Sequence, residues 1–213
     1  MTGTTRRRAQ TRERLIDAAY EVFSELGIRD APVELICERA GFTRGAFYSN
    51  FASKEELFLA VYEVQMQERV DRLRAAVRAA IDAADTTDPD VATDVLRQAG
   101  ALFMESLTAD RTWYLLTAEF HAQALRQEEL RGPTSAAQQR FHDSLAEILL
   151  SALDRLAFRL TVDPRSAVVT ITGLYTTMLE RTIIDGSDED GSYVTDVLPR
   201  LFAALIVPSD KDI

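Results

Sequence analysis

Two short apolar stripes at helical spacing, each closed by a glycine, restrict this chain more than any other feature. Leu15, Ala18, Ala19, Val22, Phe23 and Leu26 recur three and four residues apart, and Gly27 follows them. Pro32 opens a second stripe, Val33, Ile36, Cys37 and Ala40, which stops at Gly41. Apolar residues at this period bury one face of a helix, and a glycine lets the backbone turn once the helix ends. Thr43 then reads as the N-cap of a third helix through Asn50, with Phe47 and Phe51 facing inward. Ser53 caps a fourth helix, which carries Glu55 and Glu56 in its first turn, where the helix dipole favours acid. No breaker follows until Asp85 to Pro89, so this helix runs for about 30 residues, roughly 45 Å.

Further helices are predicted near 91–108, 111–130, 133–160, 164–185 and 193–206, separated by Asp110, Gly132-Pro133, Asp163-Pro164 and the stretch from Gly186 to Gly191. The β-branched patch Val168 to Thr172 remains helical in this reading, because Val168, Ile171, Tyr175, Met178 and Leu179 keep the helical period. The expected fold is all-α with about nine helices. A three-helix helix-turn-helix domain, residues 1–56, is joined by the long helix to a larger helical bundle, residues 57–213.

Acidic side chains outnumber basic ones by 34 to 24, a net charge of −10, which by itself argues against a nucleic-acid partner. The excess is not evenly spread. Residues 1–56 hold 9 bases and 9 acids, so all of it lies downstream. Arg6, Arg7, Arg8, Arg12 and Arg14 face only Glu13 within the first fourteen residues, and Arg39 to Lys54 has three bases and no acid. The single Cys37 excludes an intrachain disulfide framework and a CxxC site. On its apolar stripe it is a small inert hydrophobe in one reading and a redox sensor in the other. No run of about 18 apolar residues and no apolar leader after the first bases is present. The expectation is a cytoplasmic protein without a membrane partner.

Two short helices joined across Ala40-Gly41-Phe42-Thr43 have the helix-turn-helix order, in which the second helix enters the major groove. With Phe47 and Phe51 inward, Thr43, Arg44, Gly45, Ala46, Tyr48, Ser49 and Asn50 supply or border the outward surface. Arginine reads guanine bidentately, asparagine reads adenine, and small residues allow close approach. Gly45 costs about 1 kcal/mol in a helix relative to alanine and so calls for a close-contact reason. On geometry alone an ordinary helical hairpin fits as well.

Residues 11–62 carry Arg12, Ile16, Ala19, Phe23, Gly27, Ala40-Gly41-Phe42-Thr43-Arg44-Gly45, Phe47-Tyr48, Asn50-Phe51 and Ser53-Lys54-Glu55-Glu56-Leu57. In these the chain resembles the N-terminal domain of the tetracycline-repressor (TetR/AcrR) family. The resemblance implies a dimeric, all-helical, sequence-specific transcriptional regulator, usually a repressor, released from a pseudo-palindromic operator by a small molecule. It also implies that Thr43, Arg44, Gly45 and Asn50 face the groove with Ser49 beside them, and that Tyr48 and Lys54 contact phosphate. Arg6 to Arg8 resemble a flexible basic arm, or are a solvated tail. Where the family caps its second helix with threonine or serine this chain has Ala31-Pro32, which leaves Asp30 or a water to satisfy those amides. Cys37 replaces the usual alanine.

Candidate pocket residues downstream are Phe103, Met104, Trp113, Phe120, His121, Phe141, Tyr175 and Met178, large side chains of the kind that line a pocket between bundle helices or simply fill the core. The acidic C-terminal domain leans toward a cationic or amphipathic effector of unknown identity. Helices 164–185 and 193–206 carry more apolar surface than one buried face requires, which predicts a homodimer, with burial inside the monomer as the other reading. Neither a metal nor another cofactor is expected, since Glu119, His121, His142 and Asp143 lack a ligand spacing. With no GxGxxG, P-loop or GxSxG, an enzyme is not expected. A helical small-molecule binder whose helix-turn-helix is merely structural is the competing class.

Overall fold

The computed structural model describes residues 2–84, 89–107, 111–185 and 197–209, with side chains placed in all but 2–5, 89–90, 103–107 and 198–199. Its helices are α1 (Thr2–Asp30), α2 (Val33–Ala40), α3 (Arg44–Tyr48), α4 (Lys54–Asp82), α5 (Pro89–Leu107), α6 (Arg111–Arg126), α7 (Glu128–Arg155), α8 (Pro164–Asp185) and α9 (Leu198–Ala203). Two three-residue strands, β1 (Phe158–Leu160) and β2 (Ile206–Pro208), pair antiparallel with Arg159 opposite Val207. Among the described residues the chain is thus all-α apart from this one ribbon. The β-branched patch of α8 is helical, as its period required.

The chain forms two compact units, Met1–Met66 with Ala109–Gln138, and Gln67–Thr108 with Gln139–Ile213. The boundary expected at residue 56 falls inside α4, and the first unit recruits α6 and the beginning of α7. In that unit α1 buries Leu15, Ala19, Val22 and Phe23, as the stripe predicted, while Leu26 is 44% exposed because the chain turns at Gly27 (φ 77°, ψ 168°). Phe58 of α4 is fully buried, with its ring 5.9 Å from Phe23, 6.3 Å from Trp113 and 4.6 Å from Phe120. Such tilted and stacked ring pairs fix relative orientation as well as burying area. The second unit has a different core, mostly aliphatic, in which Leu73, Leu145, Leu153, Val168 and Ile171 are at most 2% exposed.

Some expectations need correction. Arg6, Arg7 and Arg8 stand on a helix and not on an irregular arm: α1 starts at Thr2 and runs on through Gly3 to the first apolar turn. Helices α6 and α7 part at Gln127, and Gly132-Pro133 lies within α7. Pro133 comes early in that helix and deprives only the Glu129 carbonyl of its donor, so helical geometry survives. Residues 158–160, assigned to a helix from sequence, form β1 instead. α9 is shorter than the predicted 193–206, and residues 193–196, like Gly186 to Gly191, lie outside the described residues.

Candidate nucleic-acid interface

The turn between α2 and α3 is built from hydrogen bonds that its sequence encodes. Gly41 is left-handed at φ 73°, and its N–H reaches the Glu38 carbonyl at 3.0 Å while the Phe42 N–H reaches the Cys37 carbonyl at 2.8 Å. This is the Schellman arrangement, which satisfies the last carbonyls of α2 and favours glycine. Thr43 then accepts from the Ala46 N–H at 3.3 Å as the cap of α3. At the other end of the hairpin, neither Asp30 nor any other side chain caps α2. Pro32 is its N-cap, and the Pro32 carbonyl accepts from Leu35 and Ile36 at 3.1 and 3.3 Å.

Phe47 and Phe51 are buried and pin α3 from beneath, whereas Thr43, Arg44, Gly45, Tyr48 and Ser49 are exposed. Tyr48 stands 53% exposed. A methyl group added at Gly45 would meet only the Thr43 hydroxyl at 3.7 Å, so nothing among the described residues requires glycine there. Arg44 is paired with Glu34 at 2.6 Å and lies over the Tyr48 ring at 5.9 Å. Arg39 forms a two-pronged pair with Glu25 at 2.6 and 3.0 Å, which holds the Glu25 carboxyl below its ordinary pKa.

Two sequence-based assignments do not match this geometry. Lys54 is not a free phosphate contact: its ammonium donates to the carbonyls of Ile28, Arg29 and Ala31 at 2.9, 2.8 and 2.9 Å, which occupies all three of its protons. Asn50 does not present its amide outward, since Nδ2 donates to the Ala46 carbonyl at 2.8 Å and to Ser49 Oγ at 3.2 Å, and Oδ1 is buried. Both residues fix the frame around α3. Two arginines of α1 do the same: Arg8 donates to the Ser49 carbonyl at 3.1 Å, and Arg12 to the Asn50 carbonyl at 3.2 Å while covering the Phe51 ring at 4.2 Å. They bring positive charge to the C-terminal end of α3, where the helix dipole favours it. Their spacing of four residues on one helix face was the available signal.

Glu119 of α6 is a participant that sequence reasoning did not find as a contact. Its carboxylate accepts from the N–H groups of Ile28 and Arg29 at 2.9 and 2.7 Å, the amides freed where Gly27 breaks the helix. A Cβ at Gly27 would sit 3.1 Å from the same carboxylate. The turn leaving α1 is therefore gripped from both sides, its amides by Glu119 and its carbonyls by Lys54.

The pocket candidates are distributed over both units. Trp113 and Phe120 are buried in the ring cluster of the first unit, together with the half-buried His121, whose Nε2 lies 3.0 Å from Gln138. Tyr175 belongs to the core of the second unit, with Phe141 and Met178 packed against it. The side chains of Phe103 and Met104 lie outside the described residues. A cleft of about 240 Å³ in the second unit is lined by Arg74, Arg78, Arg155 and Glu147 over Val77 and Ile148, and by none of the described aromatic candidates. Burial holds the pKa of His121 below its ordinary value; burial and the charge of Arg165 do the same for His142. Cys37 is 3% exposed, and desolvation pushes its thiol pKa up, the opposite of what a reactive thiolate needs. No cluster of metal-ligating side chains occurs among the described residues, and none of the described helices is long and apolar enough to cross a membrane.

Residues 15–61 match the family model of bacterial regulatory proteins, tetR family. The HTH-type transcriptional regulator SrpR of Pseudomonas putida is 50% identical over 52 residues, which is 24% of each chain. The HTH-type transcriptional activator FasR of Mycolicibacterium smegmatis is 37% identical over 112 residues, 53% of this chain and 47% of FasR. The matched stretch thus spans about a quarter of the first relative and about half of the second. In three dimensions the whole chain is similar to a TetR-family transcriptional regulator of Mesorhizobium loti, at a TM-score of 0.68 and 21% identity, over 94% of this chain and 98% of the other.

Proposed function

We propose, from the match of residues 15–61 to the tetR family of bacterial regulatory proteins, that this chain is a ligand-responsive transcriptional regulator of that family that binds an inverted-repeat operator as a homodimer. The observation that carries the reading is the surface of α3. Its apolar side is anchored by Phe47 and Phe51, and its other side presents Thr43, Arg44, Gly45, Tyr48 and Ser49. A guanidinium, two hydroxyls, a phenol and a glycine without an internal packing reason suit base edges, phosphates and close approach to the groove floor. Phosphate contacts fall to Tyr48 and Thr43, with Arg8 and Arg12 adding positive potential, and Lys54 serves the frame.

Dimerisation through α8 and α9 is supported by Val169, Leu174, Ile184 and Leu201, which are between 39% and 72% exposed. A two-fold dimer places two α3 helices in successive major grooves. Ligand response is supported by Glu119. A small molecule that favours a shifted α6 draws on the Gly27 turn and thereby on the hairpin that carries α3. Repression follows where the operator overlaps a promoter.

The test is selection of bound duplexes from a random pool by the purified protein at moderate salt, beside Arg44→Ala and Tyr48→Ala. An enriched inverted repeat that the variants lose is the expected result. Wild type and variants selecting the same weak, sequence-independent pool would overturn the DNA-reading assignment in favour of a helical small-molecule binder. Sedimentation of Leu174→Glu and Leu201→Glu checks the dimer, which these charges are expected to dissociate.

A further inference from the structure

We propose that Glu34 is a specificity-determining residue, which bars Arg44 from nonspecific phosphate contact and aims it at a guanine; this rests on the DNA-reading role of α3. Glu34 stands in the first turn of α2 and Arg44 in the first residue of α3, on the two arms of the hairpin. Their side chains meet at 2.6 Å while each remains 60% exposed. The pair is a surface device with no part in the core. Tyr48 limits the guanidinium from a second side, with its ring 5.9 Å away. The hydrogen bond that Arg44 donates to the Tyr48 hydroxyl and the negative charge of Glu34 both raise the pKa of Arg44 further, so the guanidinium stays charged.

A guanidinium has five N–H donors, of which Glu34 Oε1 takes one at Nη1 and the Tyr48 hydroxyl a second, leaving three. The remaining donors still offer a planar two-pronged edge, which is what the O6 and N7 acceptors of guanine require. Neutral acceptors of that kind can be engaged with Glu34 in place. A phosphate cannot be engaged on the same terms, because it brings a second anion to a guanidinium already carrying a carboxylate. Nonspecific binding arises from cations that neutralise phosphates and release counterions. The Arg44–Glu34 pair has no net charge to contribute to that release. It therefore lowers affinity for random duplex while sparing the guanine contact.

The experiment measures binding of the full-length protein to its selected operator and to random-sequence duplex across a salt series, for wild type, Glu34→Gln, Arg44→Ala and the double variant. Glutamine keeps the shape, and an exposed pair contributes little to folding. Glu34→Gln is expected to tighten random-duplex binding about 3- to 10-fold, as one further phosphate contact steepens the salt slope by roughly 0.9. Operator affinity stays within about 2-fold, so the specificity ratio falls, and the guanine preference at one position per half-site flattens in a repeated selection. In the Arg44→Ala background the change from glutamate to glutamine no longer alters base preference. An unchanged ratio and salt slope in Glu34→Gln, or an equal loss on both duplexes, overturns the inference. A wild type that selects no sequence overturns the DNA-reading role itself, and this inference with it; a selecting wild type matched by Glu34→Gln removes only the inference.

Discussion

The two compact units both bury an apolar core and differ in what is added around it. Around the Gly27 turn and the end of α3, charged side chains close on backbone groups: Lys54 on three carbonyls, Glu119 on two amides, Arg8 and Arg12 on one carbonyl each. The second unit relies on an aliphatic cluster around Leu73, Leu145, Leu153 and Ile171. Hydrogen bonds are directional and aliphatic burial is not. A surface that must meet another molecule in register is set by the first kind, and a scaffold that needs only volume can use the second.

The strongest test of that contrast is Phe58→Ala, which opens the ring cluster of the first unit and is expected to cost about 4 kcal/mol. Leu153→Met, a near volume-conserving change in the second unit, is expected to cost under about 1.5 kcal/mol. Denaturant titration followed by circular dichroism checks each value; a Phe58→Ala loss under about 1.5 kcal/mol would show that the ring cluster is not what holds the first unit together. Lys54→Met comes next. Losing a charged donor to three carbonyls is expected to cost about 2 to 3 kcal/mol, with the salt slope of DNA binding unchanged. A slope reduced by about one with stability intact would return Lys54 to the phosphate contacts. Gly45→Ala separates surface from frame more finely: it is expected to raise stability by about 0.5 to 1 kcal/mol and to weaken operator binding in a gel-shift titration. An alanine variant that binds as tightly as wild type would remove the close-approach reading.

The smallest effect expected is one of pH. Burial, joined at His142 by the charge of Arg165, keeps both His121 and His142 below their ordinary 6.5, so the unfolded chain takes up these protons first. Stability is then unaffected above about pH 7 and falls as pH drops through 6.5, until the folded-state values are passed. Replacing both histidines with glutamine should flatten that part of a melting-temperature profile. Glu25 and Asp163 act lower, their pKa values depressed by Arg39 and by the Ser166 amide. Their contribution is present above the ordinary 4.5 and 3.8 and is lost as pH falls further.

Gly41, Thr43 and Ser53 were legible because turns and caps are local: their partners lie within five residues, and residue type alone restricts the geometry. The hold of Lys54 on the Gly27 turn is not legible because its partners lie 23 to 26 residues away, and that of Glu119 because its own lie 90 and 91 away. No window of sequence contains such pairs. Pro133 misled for a different reason, since its usual meaning as a breaker weakens near the start of a helix. Three-residue strands are too short to show alternation, and the residues of β1 find their partners only 46 to 50 residues later. The aromatic pocket candidates were no more than a choice among large side chains, which fill cores as readily as they line cavities.

The grip of Glu119 on the Gly27 turn bears on how such a molecule can be taken apart. A fragment ending in α4 contains every residue of the hairpin, yet it leaves the Ile28 and Arg29 amides without an acceptor and strips Trp113 and Phe120 from Phe58. The hairpin is therefore not a transplantable cassette. A chimera that grafts it onto another protein must bring along a matching segment of α6, and one joined at residue 56 inherits the α3 surface without the support that holds it in place.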